Sequence, residues 1–183
     1  ITLEMTEKKV MKRLGAMRLS VPINEYDNLS QDTEYMRDRI DSLKRTTNSG
    51  FGDDLFEKKV GKIYCKFWAA GTKTVNDFDE YIAKLQDRKG IKIDFIVVDY
   101  IELIAIPKNQ GGDSLYIKGK LAAEGLRALG AKYNCPILTS VQVAKDAWNS
   151  MDITLESVPS SKAYADTADS FFAIIRNAEM RRQ

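Results

Sequence analysis

The run Ile93-Asp94-Phe95-Ile96-Val97-Val98-Asp99-Tyr100 constrains the fold more than any other stretch of the chain. Its centre, Ile96-Val97-Val98, is β-branched and unbroken by polar residues, the pattern of a strand covered on both faces. A strand of that kind belongs to a parallel sheet, and this one delivers a carboxylate, Asp99, to the sheet's carboxyl edge. Residues 94–98 are therefore expected to form a central strand. Shorter runs of similar character at residues 1–3, 62–67, 136–140 and 170–175 are the other strand candidates.

Helical patterns separate these runs. Val10, Leu14 and Met17 fall on one face, as do Met36, Ile40 and Leu43. Val75, Phe78, Ile82 and Leu85 repeat the spacing, with Thr74 as N-cap and Asp77 at the capping-box position. Leu115, Ala122, Leu126, Leu129 and Tyr133 mark a long amphipathic helix that ends before Asn134-Cys135-Pro136. Strands alternating with helices predict an α/β fold, a parallel sheet flanked by helices, with residues 1–183 forming one domain or a large piece of one. Residues 107–113 and 143–163 stand apart as loops.

Composition narrows the chemistry. The chain has no histidine, which excludes Ser-His-Asp triads and zinc hydrolase sites in their usual forms. A net charge of +2, from 28 basic and 26 acidic residues, provides no global attraction to a polyanion, so local patches must meet any such partner. Cys65 and Cys135 lie in apolar runs without metal-ligand spacing, as expected of buried free thiols in a reducing cytosol. No apolar run approaches the ~18 residues of a membrane span. No signal peptide is evident.

Three polar residues stand at or just beyond the ends of separate strands. Glu4 follows Ile1-Thr2-Leu3, Asp99 follows Val98, and Gln142 follows the run Ile137-Leu138-Thr139-Ser140-Val141. Each alone has an ordinary reading: a strand meeting solvent, an aspartate capping the next turn, a surface glutamine. Parallel strands would bring all three to one side. A base, a carboxylate beside Mg²⁺ and a neutral hydrogen-bonding group that senses a γ-phosphate form a coherent set for ATP hydrolysis.

The motifs ITLEM, IVVDYIELI, TSVQVAKDAW and TADSFFAII, in that order and rough spacing, resemble those of the DnaB-type hexameric replicative helicases, and among them the T-even phage type. The resemblance runs from Ile1 to about Arg176, nearly the whole chain. It implies a RecA-like parallel sheet flanked by helices, incomplete at both ends. It also implies that Glu4 polarises the attacking water, that Asp99 lies in the Walker B strand beside Mg²⁺ and the nucleotide, and that Gln142 senses the γ-phosphate of ATP. The implied sheet order is 62–67, 1–3, 94–98, 136–140, a phosphate-loop strand, then 170–175. No GxxxxGK[ST] cradle occurs: Gly71-Thr72-Lys73-Thr74 lacks the upstream glycine and follows a different strand. Residues 1–183 are therefore expected to begin after the phosphate loop and to end before the arginine finger, so the fragment by itself should be inactive. With the middle strand absent, 170–175 is expected to pair directly with 136–140 or to be displaced.

In that family, loops facing the ring's channel contact single-stranded DNA. Here they would be 107–113 and 143–163, with Lys108, Lys145 and Lys162 neutralising phosphates and Ser160 and Ser161 donating hydrogen bonds. Ser160-Ser161-Lys162-Ala163 departs from the family's glycine-containing turn, and Asp113, Asp146, Asp152 and Glu156 dilute the positive charge. Trp68 and Trp148 read as packing residues, because basic residues do not interleave with them. The resemblance further implies a hexameric homo-oligomer, primase and a helicase loader as partners, no membrane, and the cytoplasm of a phage-infected bacterium. Two other readings remain open: another RecA-fold ATPase of recombinase or clock type, and a non-catalytic binding domain on a degenerate ATPase fold.

Overall fold

A computed structural model of the chain describes residues 1–48, 61–107, 114–147, 150, 153–159 and 161–175. They divide into two units, one of Met5–Lys66 and one of Ile1–Glu4 with Phe67–Gln183.

The described residues of the first unit include three helices, α1 (Glu7–Leu19), α2 (Tyr26–Leu29) and α3 (Thr33–Asn48). Its core is Ala16, Leu19 and Val21, with Tyr26, Leu29, Tyr35, Met36 and Leu43 packed around them. Helix α1 closes at Ser20, whose left-handed backbone (φ 53) directs its N–H to the carbonyls of Ala16 and Met17. Asp32 starts α3 by accepting from the N–H groups of Glu34 (3.1 Å) and Tyr35 (2.9 Å). The helices lie where the periodicity puts them, but the buried stripe is rotated. Met17 is 72% exposed and Ile40 is exposed, while Ala16 and Leu19 are buried.

The second unit holds the sheet. Strands β1 (Ile96–Val98) and β2 (Ile137–Thr139) pair in parallel, Val97 opposite Leu138. Thr2 bridges Asp99 on one side and Phe67 on the other, both in parallel sense. Backbone bonds carry that ladder: Asp99 N–H to Ile1 O (3.0 Å), Leu3 N–H to Asp99 O (2.7 Å) and Trp68 N–H to Thr2 O (3.1 Å). The lateral order is thus Phe67, residues 1–3, β1, β2, as the family resemblance implies. The flanking segments differ. Of residues 62–67 only Phe67 is bridged into the sheet, and 170–175 is not a strand, with Phe172 and Ile174 exposed. A strand persists through its ladder partners, and 170–175 has none among the described residues.

Helices α4 (Val75–Lys89) and α5 (Leu115–Tyr133) pack together and cover one sheet face. Phe78, Ile82, Ala122, Leu126 and Leu129 close over Leu3, Ile96 and Val98. Fully burying side chains such as Phe78, Leu3 and Val98 stabilises by about 1.5–3 kcal/mol each. Gly125 sets the helix spacing, because a Cβ there would lie 3.1 Å from Val75 Cγ2. Trp68 stacks on Phe78 (5.6 Å between centroids, 8° between planes), so it packs as expected. Helix α4 opens on the capping box formed by Thr74 and Asp77 and closes at Gly90 (φ 60).

The expectation that β1 is buried on both faces is corrected. Ile96 and Val98 are buried, whereas Phe95, Val97 and Leu138 are exposed. Successive strand residues point to opposite faces, and α4 and α5 cover only the face that carries Ile96 and Val98. Cys135 is buried and Cys65 half-buried, both free, with burial the main cause raising each thiol above its ordinary range.

Candidate functional site

The strands end on a common edge. Leu3 is the last paired residue of its segment, so Glu4 leaves the ladder beside the end of β1 and its side chain is exposed. Asp99 follows β1 directly and is half-buried. Burial raises the Tyr100 hydroxyl above the usual range, and the charges of Glu102, then Glu4, then Asp99 raise it further.

Past β2 the pairing continues for one more residue, with Ile101 N–H donating to Ser140 O at 3.3 Å. Thr139 Oγ1 donates to Val98 O at 2.9 Å, a side-chain cross-link between β1 and β2. Gln142 lies two residues beyond Ser140, exposed, and its backbone N–H donates to Glu102 Oε2 at 3.1 Å. Glu4, Asp99 and Gln142 therefore stand at the carboxyl edge of three laterally adjacent parallel segments.

Residues 143–163 follow that edge, and their described part is more than an open loop. Ala144 N–H donates to Ser157 O at 2.8 Å, and the stretch contains 3-10 turns at Lys145–Ala147 and Leu155–Ser157. Ala147, Val158 and Ala163 are buried. Lys145 opens the first turn and Lys162 is the second residue of α6 (Ser161–Ala165); both are exposed. Ser161 is the first residue of α6. Lys108, Ser160, Trp148 and Arg176 lie outside the described residues, as do residues 108–113 of the other expected loop.

Comparison with known proteins bears on the fold. Over 181 residues, 98% of the chain, the sequence is 24% identical to the DnaB-like replicative helicase of enterobacteria phage T4. A solved structure of a DnaB-like replicative helicase, described with its interactions with primase, matches 92% of the chain with a TM-score of 0.65 at 16% identity. The chain resembles the DnaB-type replicative helicases. It spans 36% of the phage relative's length and 37% of the solved chain's. No protein-family model matches. The DnaB-like, RecA-like α/β fold inferred from the motifs is thus the fold observed, with a parallel sheet and flanking helices.

Two polar residues, one at the sheet edge and one in α6, were not singled out by sequence reasoning. Glu102, the acid in Ile101-Glu102-Leu103-Ile104, holds the Gln142 amide. Tyr164 is buried against α5, where a Cβ on Gly119 would lie 2.9 Å from its Oη. Burial first, and the charge of Glu102 second, push its hydroxyl up to about 12. An acid within an apolar run was the available signal for Glu102. Nothing in the spacing of Tyr164 distinguishes it from an ordinary core aromatic.

Proposed function

We propose that this chain is part of the motor of a replicative DNA helicase, which couples ATP hydrolysis to translocation on single-stranded DNA and to duplex separation. The observation that carries this reading is the gathering of Glu4, Asp99 and Gln142 on one carboxyl edge within a DnaB-like fold.

Each side chain suits a distinct part of phosphoryl transfer. Glu4 is exposed at a strand end, so its carboxylate can accept a proton from a water aimed at the γ-phosphate. Asp99 is a half-buried carboxylate whose backbone is held by two ladder bonds, to Ile1 and Leu3. Among the described residues no three acidic or thiol groups converge to hold a metal ion. One carboxylate nonetheless fits Mg²⁺, which keeps several waters and takes its other oxygens from the substrate phosphates. Mg²⁺, when bound with ATP, neutralises charge on the phosphates; Asp99 would orient its water shell. Gln142 is neutral at every pH of interest and would donate a hydrogen bond to a γ-phosphate oxygen.

Lys145 and Lys162 are exposed on the segment that leaves Gln142, where they would neutralise phosphates of single-stranded DNA together with Lys108, Ser160 and Ser161. The proposal extends to a hexameric ring, with primase and a loader as partners, acting in the cytoplasm of a phage-infected cell. ATP turnover by the intact protein, with and without single-stranded DNA, tests the reading. Turnover that rises on adding DNA supports it, and turnover indifferent to DNA contradicts it.

A further inference from the structure

Glu102 has a place in the fold that neither the motifs nor the comparisons assign. It belongs to the 3-10 turn Ile101–Leu103, which immediately follows Asp99-Tyr100 and packs against α5. Ile101 and Ile104 are buried on either side of it, and Leu103 N–H returns to Tyr100 O at 3.1 Å. The backbone that carries Glu102 is therefore fixed, while its side chain stands exposed at the sheet edge.

The β2 ladder runs out just where Glu102 takes over. Ile101 N–H donates to Ser140 O, and two residues further along that extension the amide of Gln142 meets the Glu102 carboxylate. A backbone N–H needs an acceptor, and here a carboxylate oxygen serves at 3.1 Å. Hydrogen bonds to an ionised acceptor are stronger than neutral ones. Beyond that segment, burial and then the charge of Glu102 raise the Tyr164 hydroxyl. Glu102 thus stands at the start of residues 143–163.

We propose that Glu102 is a positioning residue, which fixes Gln142 and the base of the 143–163 segment relative to Asp99 by accepting the Gln142 amide. This rests on the helicase reading for its consequence, though not for its geometry. Without that acceptor, Gln142 would no longer be held in register with Asp99, and a signal from the phosphate site would not reach the segment in a defined form.

Two variants of the intact protein separate the possibilities. Glu102→Ala removes the acceptor, whereas Glu102→Gln keeps a side-chain carbonyl of nearly the same reach. Amide hydrogen exchange in peptides spanning residues 138–146 should quicken by about tenfold in Glu102→Ala and stay close to wild type in Glu102→Gln. DNA-stimulated kcat should fall by about tenfold in Glu102→Ala with KM for ATP little changed, and Glu102→Gln should restore it. Unchanged exchange in Glu102→Ala, or Glu102→Gln behaving like Glu102→Ala, overturns the tether. Faster exchange with undiminished stimulation overturns its role in the reaction. A wild-type protein without DNA-stimulated turnover overturns the helicase reading instead, and the exchange result then decides the tether alone.

Discussion

The amide of Leu3 donates to the carbonyl of Asp99 at 2.7 Å, and that bond fixes where Glu4 and Asp99 emerge. Two segments more than ninety residues apart in sequence are locked in parallel register, so the acids that follow them leave the sheet side by side. Buried Leu3 and Val98 hold the pair from below, which makes the edge a rigid platform for two carboxylates with different surroundings.

Glu4→Gln should separate binding from chemistry. The amide keeps the shape of the carboxylate and cannot take a proton from water. ATP affinity of the intact protein should be nearly unchanged while kcat falls by about 10²–10⁴-fold, the usual contribution of a positioned general base. Equilibrium binding of labelled ATP alongside single-turnover hydrolysis checks both parts. A large loss of affinity with kcat preserved would mean that Glu4 holds the nucleotide and does not act on water.

Gln142→Ala should uncouple the two ligands. It removes the group proposed to sense the γ-phosphate while leaving Asp99 and Glu4 in place. Much of the ATP affinity should remain, whereas stimulation of turnover by single-stranded DNA should be lost, because coupling requires contacts that differ between two states. Stimulation equal to wild type would route the coupling elsewhere.

Lys145→Ala and Lys162→Ala concern DNA alone. Each lysine is exposed on the segment beyond Gln142. If each neutralises one phosphate, each substitution should weaken binding to any sequence and reduce the slope of log affinity against log salt by about 0.7 for single strands. Fluorescence anisotropy with a labelled oligonucleotide at several salt concentrations measures this. An unchanged slope in both variants would remove the segment from the DNA site.

The α4 capping box provides a prediction independent of function. Asp77 accepts from Lys73 Nζ, from the Thr74 N–H and from Thr74 Oγ1, each at 2.8 Å. The bond from Lys73 first, then those from Thr74, lower its pKa from 3.8 to about 2. A carboxyl whose pKa is lower when folded contributes stability above its unfolded pKa, and that contribution fades as pH falls toward the folded value. Asp77 is about a third exposed, so solvent screening limits the effect. Asp77→Ala should cost about 1 kcal/mol near neutral pH, typical of a lost helix cap. Thermal or denaturant unfolding should show that difference shrinking between about pH 4 and pH 2. A difference independent of pH across that range would assign the effect to packing.

The edge was legible in the sequence because it depends on chain direction: apolar runs that end in Glu4, Asp99 and Gln142 deliver those residues together once the strands are parallel. The capping box was legible for a similar reason, since Thr74 and Asp77 act within one turn. Coverage of the sheet was not. An unbroken Ile96-Val97-Val98 reads as buried on both faces, but whether a second layer covers Val97 depends on distant packing. The stripe on α1 was misplaced because Val10, Leu14 and Met17 satisfy helical spacing while Ala16 and Leu19 face the core. Residues 170–175 have strand composition and no described partner, and composition cannot supply one. Glu102 stayed hidden because its significance is a single hydrogen bond to an amide 40 residues away.

The most direct test of the account is ATP-driven separation of a forked DNA duplex by the intact protein, measured as release of a labelled strand for the wild type and for Glu4→Gln. The account predicts release that requires ATP and Mg²⁺ in the wild type and falls by about 10²-fold or more in the variant. Strand release without ATP, no release by the wild type, or release by Glu4→Gln at the wild-type rate would contradict it.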